Sequence, residues 1–230
     1  MNNYTLEIEL LSDTAFGSGA GVSALVNSEI QHDHKGLPTL SGRAIKGLLV
    51  NECSEILYVL PPESRNYWEK VAQTLFGQRG ETLDDLDGVF IADATAAPDL
   101  VEAIRADEEV LRDEVLNSLT TIRRQTAMNM LGAPLDDSLR STRVLIQGLT
   151  LYAAIAFTSE PDDDQKALLA ACVMSLRRAG LNRNRGKGRI ALQITTRSLD
   201  PAVFAASPSD FADQAPEWFR HFTISPAEAK

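Results

Sequence analysis

The strongest chemical signal in this sequence is a basic, glycine-rich segment near the carboxyl end of the chain. Residues 180–189 read GLNRNRGKGR, which places four positive charges among three glycines. Glycines let backbone amides approach an anion closely, and arginine side chains can hold phosphate oxygens without reading a base sequence. The alternative is an ordinary solvated basic loop. The residues predicted to contact a nucleic-acid backbone are Arg183, Arg185, Gly186, Lys187, Gly188 and Arg189.

A second candidate anion site lies at the start of a predicted helix. Ser41 can cap a helix whose apolar positions include Ile45 and Leu49. Arg43 and Lys46 flank its first turn, where positive charge opposes the helix dipole and is mildly destabilising by itself. A phosphate held by the first amides and by these two side chains would relieve that repulsion. The other interpretation is that both are solvated basic residues.

His32 and Asp33 are the candidate acid–base pair. Adjacent positions point in different directions and His221 is distant in sequence, so the pattern does not match a metal site. Cys53 and Cys172 also lack metal-ligand spacing and are expected to be reduced and buried. We therefore predict no bound metal and no cofactor, with Mg²⁺ conceivable if these residues cleave RNA. A solvated loop is the alternative.

Charge is distributed unevenly along the chain. The formal net charge is −10 at pH 7, which by itself argues against nucleic-acid binding. However, twelve acidic residues and two arginines lie between Glu81 and Glu114, whereas residues 165–199 contain eight positive charges and no acid. This segregation predicts an acidic surface and a basic surface with different partners.

The composition is that of a globular protein, with 44% hydrophobic and 23% charged residues among 230. It excludes a disordered, collagen-like or disulfide-scaffold protein. No apolar stretch is long enough for a signal peptide or a membrane span, and reduced cysteines fit a reducing compartment. We expect a cytoplasmic protein with no membrane attachment.

The elements that position these residues follow from hydrophobic periodicity. Leu6, Ile8 and Leu10 alternate with polar residues, as in a strand with one buried face. The order of elements predicts an α+β fold, a ferredoxin-like (RRM-like) βαββαβ core with a long insertion between the second and third core strands. The aromatic signature of an RRM is absent, so RNA contact would have to use loops. Further strands are predicted at 88–93, 149–157 and 189–195, and helices at 41–60, 63–75 and 162–180.

The chain is expected to form one domain with an insertion and a tail. Residues 1–197 form the predicted domain, 98–145 the insertion, and 198–230 a tail interrupted by prolines. The insertion begins with an acidic, helical part and continues as a polar stretch over residues 120–143. The aromatic residues expected to dock the tail are Trp218, Phe219 and Phe222.

Three motifs in sequence order resemble those of one known family. Residues 37–47, LPTLSGRAIKG, resemble the helix-entry motif of the RAMP superfamily, whose members form the backbone of type III CRISPR effector complexes. The LFG at 75–77 with GVFIADA at 88–94 resembles that family's next conserved segment. Residues 180–189 resemble its carboxyl-terminal glycine-rich signature. The resemblance extends over about residues 4–195.

The resemblance implies a crRNA-binding subunit that stacks along the guide in a hetero-oligomeric antiviral ribonucleoprotein. Its partners would be guide RNA, target RNA and other CRISPR effector subunits. Ser41, Arg43, Lys46 and residues 183–189 would contact the guide backbone. Residues 120–143 would be the family's thumb, a hairpin that wedges between guide and target bases. The arginines that would serve the thumb are Arg123, Arg124, Arg140 and Arg143.

One position departs from the target-cleaving members of that family. Those members carry an Asp that acts in RNA cleavage, and Asn27 occupies the similar position here. Because Asn cannot ionise, it cannot act as a general base. Cleavage is then lost, or Glu29, His32 or Asp33 substitutes. Two other hypotheses stay open: a target or guide endoribonuclease that uses the 27–34 loop, and a ferredoxin-like assembly protein without RNA contact.

Overall fold

The computed structural model describes residues 4–18, 26–77, 88–127, 129–133, 135, 138–183, 185–207 and 211–223. The strands are β1 (Tyr4–Leu10), β2 (Thr39–Leu40), β3 (Val89–Ile91), β4 (Ala94–Thr95), β5 (Thr120–Gln125), β6 (Arg140–Leu145), β7 (Thr150–Phe157) and β8 (Ile190–Thr195). The helices are α1 (Gly42–Val59), α2 (Pro62–Phe76), α3 (Pro98–Ala106), α4 (Arg112–Leu119), α5 (Asp163–Ser175), α6 (Pro201–Ala206) and α7 (Ala215–Trp218), followed by a 3-10 turn at Phe219–His221.

The main sheet is antiparallel, with β1 between β7 and β8. Its order is β2-β4-β7-β1-β8, and β3 pairs with another part of β7. Leu6 lies opposite Ala153 of β7 and Ile194 of β8. Its neighbours Ile8 and Leu10 are likewise at most 1% exposed, because alternate residues of a strand face the same side. The four predicted strands are confirmed, and the architecture is mixed α/β with antiparallel sheets.

Helices α1, α2 and α5 contact one another and contribute to a single hydrophobic core with the sheet. Ile45 and Leu49 of α1 and Trp68 of α2 are at most 1% exposed. Cys53 and Cys172 are free thiols buried where α1 meets α5, as predicted from their apolar surroundings. The core packs on the face of β1 that carries Leu6, Ile8 and Leu10, and the polar residues of β1 point to the other face.

The start of α1 is held against the turn between β3 and β4. The Ser41 side chain caps the helix by accepting a hydrogen bond from the Ala44 amide at 3.3 Å, as predicted. The Gly42 amide donates to Asp93 Oδ1 at 2.8 Å. A Cβ atom at Gly42 would lie 1.9 Å from the Ile91 carbonyl oxygen, so the approach of helix and strand requires glycine.

We expect Gly42→Ala to lower the free energy of unfolding by about 3 kcal/mol or more, because helix and strand would have to separate. Gly47→Ala is the matched control on the same helix, since nothing lies within 4 Å of its Cβ position. That change should stabilise the protein by about 0.5–1 kcal/mol. Urea unfolding monitored by circular dichroism tests both, and equal effects of the two changes would contradict the packing described.

The segment between β4 and β7, which was predicted as an insertion, contains two helices and a hairpin. The acidic part predicted over 98–119 is divided into α3 and α4, because Asp107 Oδ1 accepts the Glu109 amide at 2.9 Å in a turn. Val101 and Val115 from the two helices pack with Leu37 in a small second core. β5 and β6 then pair in antiparallel register. Residues 81–87 of the acidic segment lie outside the described residues.

The described part of the carboxyl-terminal tail packs on the core through aromatic rings. Trp218 packs edge-on against Tyr4, with 4.8 Å between ring centroids, and Phe222 stacks on Trp68 at 4.5 Å. The Gln214 amide donates to the Ile194 carbonyl at 2.7 Å, which fixes the tail to β8. No helix in the described part of the chain is both long and apolar enough to span a bilayer.

Candidate nucleic-acid interface

The basic segment forms a closed loop between α5 and β8. The prediction that this helix runs to Gly180 is wrong: α5 ends at Ser175. Its end is set by backbone pairing across the loop, where the Ala179 amide donates to the Gly188 carbonyl at 2.9 Å. Residues 177–178 therefore belong to the base of the loop and lie beside Arg189 instead of forming the last helical turn.

Two glycines allow the basic loop, residues 180–189, to pack closely against the backbone of residues 13–15. Gly180 has φ +86°, and a Cβ there would lie 2.6 Å from the Ala15 carbonyl oxygen. Gly188 has φ +72°, and its amide donates to the Asp13 carbonyl at 3.1 Å. Both positions require glycine for local geometry. In contrast, nothing lies within 4 Å of a Cβ at Gly186, so that part of the loop is open to a ligand.

The cations of the loop differ in their surroundings. Arg183, Arg185 and Arg189 are exposed, and the charge of Arg183 acts on Glu52 of α1. Burial and the Glu55 carboxylate raise the pKa of Glu52, and the positive charge of Arg183 partly opposes that rise.

Lys187 has the one buried side-chain nitrogen or oxygen that lacks a hydrogen-bond partner in the described part of the chain. A buried ammonium without a partner is costly, and a phosphate oxygen would satisfy it.

The β5–β6 hairpin brings its arginines to different environments. Arg124 and Arg140 are exposed. Arg123 donates to Asp13 Oδ2 at 2.6 Å, next to the basic loop. Residue pairing places Gln125 opposite Arg140, so these two side chains share one face of the hairpin.

Arg143, which was predicted to contact a duplex, is placed in a buried ion pair. Its Nε lies 3.1 Å from Glu29 Oε1, and the two residues are 8% and 7% exposed. The guanidinium also donates to Asn117 Oδ1 at 3.2 Å and to Thr120 Oγ1 at 3.1 Å. Arg143 is therefore not on the exposed surface, because its position in β6 directs its side chain toward residues 26–30.

Asn27 is bound to the edge of the hairpin. The Ser141 backbone amide donates to the side-chain oxygen Oδ1 of Asn27 at 2.8 Å, and the backbone amide of Asn27 donates to the Ser141 carbonyl at the same distance. Ser28 forms a parallel bridge with Thr142. The side-chain carbonyl of Asn27 thus joins the 26–30 segment to β6, where it orients this loop.

A polar cavity of about 500 Å³ lies where these three segments meet, and we call it the hairpin cavity. Asn27 and the hairpin residue Arg140 line it together with Asn182 and Arg185 of the basic loop. Asn182 has φ +59°, a left-handed conformation that Asn tolerates better than most residues. The other lining residues are Ser28, Gln125, Thr126, Ala127, Ser138 and Thr142.

Sequence reasoning identified both arginines of the hairpin cavity but missed most of its polar lining. Gln125 and Thr142 could have been found once the β5–β6 register was known, since they share a face with Arg140. Asn182 lies within the basic segment, but it is uncharged, so nothing in the sequence marked it as a residue of the site. The contribution of Asn27 depends on a tertiary contact that no local pattern indicates.

The helix-start site is separate from the hairpin cavity. Lys46 Nζ donates to the Val89 carbonyl at 3.0 Å, Arg43 is exposed, and neither lines the hairpin cavity. The Asp93 carboxylate already accepts the Gly42 amide, so an anion of the protein itself lies at this helix start.

His32 and Asp33 contact helices α3 and α4. Asp33 Oδ1 accepts the amides of Lys35 at 2.9 Å and Leu37 at 3.0 Å, while Oδ2 pairs with Arg105 at 3.1 Å. Arg112 lies 3.2 Å from His32 Nε2. Neither residue lines the hairpin cavity. In the described residues, no three His, Cys, Asp or Glu side chains cluster as metal ligands would.

We expect Asp33→Ala to lower the free energy of unfolding by about 1–3 kcal/mol, because it leaves turn amides without their acceptor. Asp33→Asn keeps an acceptor for those amides and removes the charge, so it should cost less. Chemical denaturation of the two variants measures the difference. Equal stability of Asp33→Ala and the unmodified protein would show that these hydrogen bonds do not hold the turn.

A family model for the RAMP superfamily matches residues 7–191. The chain belongs to the RAMP superfamily. The match runs from β1 to the start of β8 and includes every residue that lines the hairpin cavity. This RAMP chain therefore carries its basic loop, its 26–30 segment and its hairpin inside the family region, whereas the tail lies beyond it. No curated protein matches the chain.

Solved structures share the fold of this RAMP chain at low sequence identity. One is a chain of the type III-B Cmr-beta complex in its apo state, with TM-score 0.59 and 12% identity. Another is a chain of type III-B Cmr-beta bound to cognate target RNA, with TM-score 0.60 and 14% identity. In both, the alignment covers 84% of this chain and 96% of the other. Likeness at this identity establishes a common fold.

Proposed function

We propose that this RAMP chain is an RNA-binding subunit of a type III CRISPR ribonucleoprotein effector. The observation that carries the proposal is the hairpin cavity, in which Arg140 and Arg185 from distant parts of the sequence line one polar site. Guanidinium groups bind phosphate oxygens through charge-assisted hydrogen bonds. The fold shared with Cmr-beta chains supports this class of complex.

The site is suited to a single-stranded guide RNA (crRNA) held by its backbone. Its polar lining offers amide and hydroxyl groups for phosphate and ribose, while its arginines supply charge without selecting a base sequence. Guide RNA therefore passes between the basic loop and the hairpin. The exposed Arg124 on the outer part of the hairpin is available to the duplex formed with target RNA, which the hairpin would kink.

The same proposal includes a finer description of the fold. The β3-β7-β1-β8 part of the sheet has the strand order of a ferredoxin-like core, with α1 and α5 on one side. In that description the insertion of α3, α4 and the hairpin lies between the second and third core strands. The acidic helices would repel RNA, so other effector subunits are their partners.

We propose that the subunit binds RNA without cleaving it. Asn27 cannot ionise, and its side-chain carbonyl accepts the Ser141 amide. Asp33 bonds to a turn and to Arg105 outside the hairpin cavity, so it is not directed at the RNA path proposed here. An endoribonuclease that used His32 and Asp33 would lose cleavage in a His32→Ala, Asp33→Ala variant that still bound RNA.

The experiment that tests this function is purification with the natural neighbouring subunits, followed by sequencing of any bound small RNA. Discrete repeat-derived RNA is the expected result. Binding of single-stranded RNA should also decrease with salt, and should fall when Arg183, Arg185, Lys187 and Arg189 are neutralised together. Partner binding that persists after ribonuclease treatment, with no RNA in the complex, would instead support an assembly protein.

A further inference from the structure

We propose that Cys53 and Cys172 form a reversible disulfide between α1 and α5 when the protein meets a small peroxide. The two side chains are 3% and 0% exposed and belong to the same hydrophobic core. The helices that carry them are in direct contact, and both thiols are free in this structure. The RNA-binding function proposed above does not use this thiol pair, so the inference goes beyond it.

The two thiols are already in contact. Their sulfur atoms share a hydrogen bond, in which the Cys172 thiol donates to the Cys53 sulfur. A disulfide needs Cβ atoms about 3.5–4.5 Å apart, which restricts it to side chains that are direct neighbours. Alanines 167, 170 and 171 precede Cys172 on α5 and are buried, and such short side chains let other elements approach the backbone of this helix.

The shared hydrogen bond makes the two thiols chemically unequal. It lowers the pKa of Cys53, and burial opposes this effect only in part. The same hydrogen bond raises the pKa of Cys172, and burial and the negative charge of Glu52 raise it further. Because the thiolate is the reactive form of cysteine, Cys53 is the residue that attacks peroxide and Cys172 is the residue that closes the disulfide.

The reaction balances with hydrogen peroxide as the oxidant. The Cys53 sulfur attacks one peroxide oxygen, the O–O bond breaks, and the departing hydroxide leaves with the Cys53 proton as water. This step leaves a sulfenic acid on Cys53. The Cys172 sulfur then attacks the Cys53 sulfur, and the hydroxyl group leaves with the Cys172 proton as a second water. Peroxide is thereby reduced, and the thiol pair is oxidised to a disulfide.

Burial selects the oxidant by its size. Hydrogen peroxide is small and uncharged, so it can enter the core during local opening, whereas the bulky glutathione disulfide is excluded from thiols that are at most 3% exposed. A pair of this kind stays reduced in a reducing compartment until peroxide is present, which is the behaviour of transient, redox-sensing disulfides. The bond would close a loop of more than 100 residues, so it would strongly restrict the unfolded chain.

Peptide mapping of the folded, full-length protein tests the pair directly. The protein is treated with dilute hydrogen peroxide, the remaining thiols are alkylated, and the sample is digested with trypsin without reduction. The expected product is peptide 47–65, which contains Cys53, linked to peptide 167–177, which contains Cys172. Dithiothreitol should remove the link, and glutathione disulfide in place of peroxide should give at least tenfold less of it.

A displaced thiol on the same helix is the matched control. The Cys53→Ala, Ser54→Cys protein keeps two thiols in the same tryptic peptides but moves one of them to an exposed position of α1. It should give at least tenfold less linked peptide at the same peroxide dose. In Cys172→Ala, oxidation should stop at a sulfenic acid on Cys53, which dimedone traps, whereas Cys172 should stay unmodified in Cys53→Ala.

Thermal denaturation measures what the bond does to the fold. The oxidised protein should unfold roughly 5 °C or more above the reduced protein, because the long closed loop lowers the entropy of the unfolded chain. An oxidised protein that unfolds below the reduced one would overturn the proposal, since the bond would then distort the contact between the helices.

The mapping experiment has two further outcomes that would overturn the proposal. One is two unlinked cysteines in the folded protein after peroxide treatment, including the case in which Cys53 gains oxygen without forming the link. The other is a link of equal yield in the displaced-thiol control. None of these measurements involves RNA, so failure of this proposal and failure of RNA binding at the hairpin cavity are distinguishable.

Discussion

Replacing Arg140 and Arg185 together with alanine is expected to weaken binding of single-stranded RNA about 100-fold. The two side chains lie 45 residues apart in sequence but line one cavity, so both can contact the same stretch of backbone. A hydrogen bond from a charged group contributes about 1.5 kcal/mol at the lower end, and about 1.4 kcal/mol is a tenfold change in affinity. Fluorescence anisotropy with a labelled RNA at fixed salt measures the loss.

The salt dependence identifies the kind of contact that is lost. Each phosphate contact on a single strand contributes about 0.7 to the slope of log affinity against log salt, so the double variant should reduce that slope by about 1.4. Arg220→Ala, an exposed arginine in the tail turn, is the matched control and should change neither quantity. Unchanged affinity and slope in the Arg140→Ala, Arg185→Ala protein would remove the hairpin cavity from the RNA path.

Arg143→Met is expected to lower the free energy of unfolding by about 3–5 kcal/mol. This change leaves the Glu29 carboxylate buried without its partner, and an uncompensated buried charge is among the most costly defects in a protein. It also removes donors to Asn117 and Thr120. Urea denaturation followed by circular dichroism measures the effect, and RNA affinity is compared at low denaturant where the variant remains folded.

Two controls separate the ion pair from loss of arginine in general. Arg124→Met changes an exposed arginine of the same hairpin and should alter stability by less than about 0.5 kcal/mol. Adding Glu29→Gln to Arg143→Met removes the stranded charge, so the double variant should recover part of the lost stability. If Arg143→Met is no less stable than Arg124→Met, the buried pair does not hold the 26–30 segment to the hairpin.

The elements of this protein could be predicted because their information is local. The alternation of Leu6, Ile8 and Leu10 reports one buried strand face, and Ser41 reports a helix cap, whatever the rest of the chain does. The shorter strands β2 and β4 were missed, since two residues are too few to show a period. The end of α5 was misplaced, because pairing of residues 177–179 with 188–190 competed successfully with a further helical turn.

The candidate site was predictable in its charge and unpredictable in its geometry. Arg185 was found as a member of the basic segment and Arg140 through the resemblance to the family's thumb, yet the same resemblance placed Arg143 beside Arg140. Only the strand register turns Arg143 inward to Glu29 and leaves Arg140 facing the cavity. Likewise, Asp33 has the chemistry of a general base, but its contacts with Lys35, Leu37 and Arg105 engage both of its oxygens.

The sequence by itself determined the strand and helix plan, the separation of acidic from basic segments and the membership of the RAMP superfamily. Tertiary structure alone decided which charged groups are exposed and which segments meet, such as Asn27 with Ser141 and Arg140 with Arg185. The physical reason is the range of the forces. Periodicity and capping act over a few residues, whereas burial and ion pairing depend on contacts between residues more than 40 positions apart.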